Sequence, residues 1–230
     1  MRSILLFTLA ALLVSSTAVA QKLNREKKAI IASVEVHQEA LIAISDSIWA
    51  LAETAFQEHE SARILADYAE AQGLMVERGV AGIPTAFVAT YGSGSPVISV
   101  LGEFDALPGI SQKASPVKEP LNEGAAGHGC GHNLFGAASL GAAIAIKEQI
   151  EAGTLKGTVK FIGTPSEEKF FGKIWMIKEG IWDGVDVNVS WHPGATTEAD
   201  VQSTLALVDF KVEFFGQTAH ASSDPWNGRS

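Results

Sequence analysis

The sequence predicts an α/β domain, and three observations carry that expectation. Short apolar runs of strand length alternate with longer segments of helical periodicity. One of the runs, Val97-Ile98-Ser99-Val100-Leu101, is nearly all apolar, as a strand covered on both faces would be. Polar, ligand-type residues follow several of the runs beside glycine or proline, which places chemistry at one edge of a sheet.

Arg2, the apolar stretch Ile4 to Val14 and Ala18-Val19-Ala20 read as a processing segment over residues 1–20. The stretch is too short to span a bilayer. Export with cleavage, to the periplasm or the medium, is therefore expected over a retained anchor.

Helical periodicity runs from about Leu23 to Ala55, with Ile30, Val34, Leu41, Ile44, Ile48 and Leu51 as its apolar stripe. A second helix is expected over 61–72, with Ser61 as N-cap and Gly73 as stop. His37 and His59 on these helices read as surface or packing residues. Strands are expected over 74–80, 85–91 and 97–101, the last two joined as a hairpin through Gly92-Ser93-Gly94-Ser95-Pro96.

Gly102-Glu103-Phe104-Asp105-Ala106-Leu107-Pro108 follows the third run, and residues 110–124 read as a surface loop. A buried helix over 134–151, a strand over 158–162, a helix over 174–178 and a strand over 185–190 complete the alternation. From Leu205 the character changes, and residues 207–215 alternate like a half-exposed antiparallel strand. The expected division is thus 1–20 processing segment, 21–204 first domain and 205–230 the beginning of a second. The second domain holds one strand and one loop, which reads as a C-terminally truncated chain.

A formal net charge of −9 argues against nucleic acid or an anionic membrane surface as partner. Cys130 is the only cysteine among 230 residues, so no internal disulfide forms. The thiol is free, paired between chains, or bound to metal.

Three segments carry chemistry: Gly127-His128-Gly129-Cys130-Gly131-His132-Asn133, Thr164-Pro165-Ser166-Glu167-Glu168, and Trp191-His192-Pro193. Cys130 and His132 in an extended glycine-rich loop can turn toward one centre. Thiolate and imidazole suit zinc or cobalt, and added carboxylates also admit manganese. Adjacent Glu167 and Glu168 diverge, so one can face a metal and the other a water, the division that metal-assisted hydrolysis uses.

Each signal has a plainer alternative. Cys130 alone fits a buried inert thiol, and the paired glutamates a solvated acidic turn. His192 alone fits a hydrogen-bonded core residue. Asp105 either orients a ligand or caps the turn that follows it.

Together these segments resemble the co-catalytic metal amidohydrolases and peptidases, the family of aminoacylases, N-acyl-amino-acid amidohydrolases and carboxypeptidase G. The likeness rests on GEFDALPGISQ at 102–112, GHGCGHNLFGAASLGAA at 127–143, GTPSEE at 163–168, WHPG at 191–194 and FFGQTAHASSDPWNGRS at 214–230. It implies a zinc-peptidase-like catalytic domain, with a mixed central sheet flanked by helices and an inserted α+β lid and dimerisation domain. It also implies two divalent metal ions (zinc, manganese or cobalt), with Cys130, His132, Glu168 and His192 as ligands. By the same resemblance Glu167 is the general base and Asp105 orients a ligand. His220 corresponds to a lid histidine that reaches the site of a neighbouring protomer and stabilises the oxyanion; a lid-loop histidine with no catalytic part is its alternative. One further histidine ligand is implied beyond Ser230.

The resulting expectation is an enzyme: a metal-dependent amidohydrolase of small N-acyl or N-aroyl amino acids such as aroyl-glutamates. In its complete form it would be a homo- or hetero-oligomer through the lid, with neither nucleic acid nor membrane as partner. A dipeptidase or carboxypeptidase using the same site is the second reading. A non-catalytic metal-binding chain lacking one ligand is the third.

Overall fold

The computed structural model describes residues 23–199, together with 203, 206, 208, 210–213, 215–220 and 222–229. The processing segment at 1–20 lies outside these residues, as do several positions of the strand read over 207–215. The chain separates into two units, Met1–Pro193 and Gly194–Ser230.

In the first unit the described strands are β1 (Met75–Arg78), β2 (Phe87–Ser93), β3 (Val97–Glu103), β4 (Gly157–Thr164) and β5 (Val187–Val189). The helices are α1 (Arg25–Leu51), α2 (His59–Ala71), α3 (His132–Glu151) and α4 (Gly172–Lys178). The sheet order is β1-β2-β4-β3-β5. β1, β2 and β4 pair antiparallel, whereas β3 pairs parallel with both β4 and β5, so the sheet is mixed.

Alternation along the strands builds two cores. Phe87 and Ala89 of β2 and Val159 and Phe161 of β4 face a cluster with Ile48 of α1, Leu65 of α2 and Leu140 of α3. The intervening Val88 and Ile162 face the opposite side, against Val80, Ile83 and Met176 of α4. Helices therefore flank both faces, as expected. Each fully buried side chain such as Phe161 contributes roughly 1.5–3 kcal/mol relative to an exposed one.

The hairpin expected between β2 and β3 does not form, because β4 lies between them. The Gly94–Pro96 connection arches over the start of β4: Thr158 N–H donates to Pro96 O at 2.9 Å and its hydroxyl to Gly94 O at 2.9 Å. The turn residues do reverse the chain, but the apolar β4 offers both strands a full ladder. That non-local pairing outweighs the local turn signal.

Ser61 is not the N-cap of α2. It is buried inside the first turn, where its N–H and hydroxyl both donate to Glu53 Oε2, at 2.8 and 2.7 Å. Glu60 N–H donates to Glu53 Oε1 at 3.1 Å, so a carboxylate from the preceding turn satisfies the free amides. In α1, Leu41, Ile44 and Ile48 of the apolar stripe are buried, while Val34 and Leu51 are exposed. His37 packs between Tyr68 (2.8 Å) and Glu148 (2.9 Å), and His59 is exposed, both as read.

In the second unit Gln217 and Arg229 form an antiparallel bridge, and Pro225–Asn227 a 3-10 turn. The described residues within 207–215 form no strand; alternation selects a face, but a ladder partner is needed to hold it. No described helix is long and apolar enough to cross a membrane.

Candidate metal centre

The parallel strands β3 and β4 end in register, with Glu103 opposite Thr164, and β5 on the other side of β3 ends at Val189, opposite Val100. Asp105 follows β3, Ser166 to Glu168 follow β4, and His192 follows β5. His132 opens α3, whose N-cap Gly131 has φ +81°, the left-handed region that favours glycine. A Cβ there would also press on Pro193, with Cγ at 3.0 Å, so this glycine lets the Cys130 loop lie against the His192 loop. Trp191 Nε1–H donates to Ser139 of α3 at 3.0 Å, and the indole meets Phe135 edge-on, which seats the same loop on the helix.

His132 is fully buried. Its Nδ1–H donates to Asp105 Oδ1 at 2.9 Å, leaving Nε2 as the nitrogen that faces the centre. Nε2 lies 3.0 Å from Glu103 Oε2 and 3.9 Å from Glu168 Oε1, but no group among the described residues meets it in hydrogen-bonding geometry. Glu168 Oε1 is likewise buried with no hydrogen-bond partner among the described residues. Cys130 Sγ lies 3.3 Å from His192 Nε2, and His192 Nδ1–H donates to Pro193 O at 2.9 Å.

Donor atoms of Cys130, His132 and His192 all lie within 4.8 Å of one another, and those of Glu103, His132 and Glu167 form a second such group. Two buried orphan atoms amid thiol, imidazole and carboxylate donors suit divalent metal. The structure thus brings together Cys130, His132 and His192, with Glu168 next to His132. Asp105 holds His132 and also accepts the Glu168 N–H through Oδ2, at 2.9 Å. His220 lies exposed in the second unit, where its Nδ1 accepts the N–H groups of Ser222 (3.3 Å) and Ser223 (3.2 Å).

Sequence reasoning missed Glu103, Lys173 and Glu58. Glu103 is buried and paired with Lys173 Nζ at 2.5 Å. Its position two residues before Asp105, on the same face of an extended chain, was the available signal. Lys173 and Glu58 left no such sign, since Lys173 reaches the site region from the first turn of α4 and Glu58 from the position just before α2.

Electrostatics follow from this crowding of acids. Burial alone would lower the His132 pKa, but the Asp105 hydrogen bond and the nearby Glu103 carboxylate push it up to about 10. Burial, and then the Glu168 and Glu167 carboxylates, push the Cys130 thiol up to about 11. Burial and then the Glu103 charge push the Glu167 carboxyl up from its ordinary value. Without metal, His132 is therefore charged and Cys130 a neutral thiol.

An α/β unit with such donors at its strand ends offers a divalent metal a ready set of ligands. The chain belongs to peptidase family M20/M25/M40, whose profile matches residues 100–227. It is 44% identical over 199 residues to a p-aminobenzoyl-glutamate hydrolase subunit of Escherichia coli (strain K12), covering 86% of this chain and 41% of that protein. It is 30% identical to the Xaa-Arg dipeptidase of Mus musculus, covering 92% of this chain and 48% of that protein. Among solved structures, a dinuclear metal binding peptidase of the M20 family from Bacillus subtilis matches with a TM-score of 0.58 and 27% identity, covering 67% of this chain and 42% of that one. The chain spans less than half the length of these relatives.

Proposed function

We propose that this chain carries the catalytic metal centre of an amidohydrolase acting on small N-acyl or N-aroyl amino acids, p-aminobenzoyl-glutamate among them. The observation behind this reading is the pair of buried atoms, His132 Nε2 and Glu168 Oε1, that have no hydrogen-bond partner among the described residues and lie among Cys130, His192, Glu103 and Glu167. Cys130, His132, Glu168 and His192 are the proposed ligands of two divalent ions, zinc, manganese or cobalt. Bound there, the metals would acidify a water and polarise the amide carbonyl.

Glu167 accepts a proton from the attacking water as the new C–O bond forms. It returns that proton to the leaving nitrogen as the C–N bond breaks. Its raised pKa suits both directions of transfer. Asp105 keeps His132 in the tautomer whose Nε2 is free to bind. His220 is the proposed oxyanion donor in the complete assembly; with Nδ1 accepting from Ser222 and Ser223, Nε2 carries the N–H such a role needs.

The Escherichia coli relative is one subunit of its hydrolase, which supports an oligomeric complete protein whose lid and dimerisation domain would include the second unit. Export, to the periplasm or the medium, rests on residues 1–20 alone. A dipeptidase using the same centre is the second reading, favoured by the 30% identity to the Xaa-Arg dipeptidase.

The test is hydrolysis of aroyl-glutamates, N-acyl amino acids and dipeptides by the protein supplied with zinc, manganese or cobalt. Preference for aroyl-glutamates supports the first reading and preference for dipeptides the second. Metal binding without hydrolysis of any of them overturns both.

A further inference from the structure

Glu58 is an acid with no exposure to solvent and no positive partner among the described residues. It sits immediately before α2, yet makes no side-chain cap to that helix. Its carboxylate turns instead to the segment after β4, where Oε1 accepts the Ser166 N–H at 2.9 Å across 108 positions of sequence. Its second oxygen, Oε2, has no partner among the described residues.

The segment it holds is strained. Ser166 has φ 60°, and Phe170 and Phe171 have φ 69° and 54°, all left-handed in non-glycine residues. Ser166 O accepts the Gly172 N–H at 3.0 Å, and the Ser166 hydroxyl donates to Lys169 O, so the loop closes on itself. A Cβ at Gly172 would collide with the Pro165 carbonyl oxygen. Such a backbone persists only where its surroundings over-determine it.

Two buried acids supply that determination. Glu58 takes the N–H of Ser166 and Asp105 takes the N–H of Glu168, from different elements. Glu167 lies between the two anchored amides. We propose that Glu58 is a positioning residue: with Asp105 it forms a two-point clamp on the backbone that fixes the direction of the Glu167 side chain. The role assigned to Glu167 rests on the hydrolase reading; the clamp itself rests only on the geometry above.

Burial pushes the Glu58 carboxyl up to about 7, so a neutral acceptor of the same shape stands in for it well. Glu58→Gln keeps an oxygen for Ser166 N–H, whereas Glu58→Leu fills the same space without one. The experiment follows hydrogen exchange of residues 163–172 in the 230-residue chain, metal-free and with zinc. The expected result is exchange at least tenfold faster in Glu58→Leu, with near-native protection in Glu58→Gln and protection of the α3 core unchanged in both. Should the leucine variant fail to fold, Glu58→Met takes its place with the same expectation.

Equal protection in the leucine variant and the parent chain would overturn the clamp, as would equal loosening in the glutamine variant. Where the protein turns over an amide, Glu58→Leu is expected to lower kcat at least tenfold with KM within about twofold, and Glu58→Gln to restore it. Absence of turnover in the parent chain would count against the hydrolase reading alone, because the exchange result stands without it.

Discussion

Asp105 and His132 form a buried pair in which Asp105 Oδ1 accepts the His132 Nδ1–H at 2.9 Å, while the other carboxylate oxygen accepts the Glu168 N–H. One side chain thus orients an imidazole from the start of α3 and a carboxylate-bearing loop after β4. Outer groups of this kind typically set metal affinity by 10–100-fold.

Asp105→Asn can accept from only one of these two donors, because its amide nitrogen would face the other N–H. The expected outcome is metal affinity weakened by about 10–100-fold, read by calorimetric titration with zinc. An unchanged affinity would show that neither contact matters for holding the ion.

Glu167 is the residue on which the hydrolytic reading turns, and its carboxylate lies near both Glu103 and His132. Glu167→Gln is expected to lower kcat by about 10²–10⁴-fold, as loss of a general base does. Bound metal per chain should stay at the parental level. Metal loss in parallel with activity would make Glu167 a ligand instead of a base.

The donors were legible in the sequence because their types are rare and their neighbours unusual: one cysteine, flanked by glycines and two residues from a histidine. The parallel strand ends were legible from apolar runs stopping at polar residues. The order of strands was not, since β4 enters between β2 and β3 through pairs such as Phe87 with Gly163 and Val97 with Thr158, far apart in sequence, while the local Gly-Ser-Pro turn suggested a hairpin. Glu58 was not legible either. An acid at a helix start normally reads as a solvent-exposed dipole partner, and only the tertiary fold buries this one against Ser166.

The metal-free chain should lose stability as pH rises toward 10. The folded His132 pKa of about 10 lies above its ordinary value of 6.5, so its contribution is complete below about 6.5 and is lost as pH climbs through 10. Glu58, raised from 4.5 to about 7, acts in the same direction at lower pH. His128, half-buried with its Nε2–H on Ile48 O and lowered by burial to about 4, acts oppositely, removing stability as pH falls from 6.5 toward 4. Urea midpoints between pH 7 and 10 should therefore decline, and His132→Gln should flatten that decline. In the same range, zinc binding should release protons from both His132 and Cys130, seen as a dependence of the binding heat on buffer ionisation enthalpy.

The approach of α3 to β3 sets the distance between His132 and Glu103, and Gly136 permits that approach. A Cβ at this position would meet the backbone oxygen of Glu103 at 2.8 Å, Leu65 Cδ1 at 3.3 Å and Phe104 Cβ at 3.4 Å. Alanine in a helix gains about 1 kcal/mol over glycine, but overpacking a core costs about 1–3 kcal/mol. Here the obstacle is a strand carbonyl that cannot rotate aside, so the cost should win. Gly141→Ala in the same helix is the control, since its new Cβ would meet only the tip of the Leu41 side chain, Cδ1 at 2.6 Å, which can turn away. Urea denaturation should show Gly136→Ala less stable than Gly141→Ala by at least about 1 kcal/mol. Zinc affinity should fall in the Gly136 variant alone, because only there does α3 shift against the strand that carries Glu103. Equal stability and equal affinity in the two variants would mean that this contact does not set the geometry of the centre.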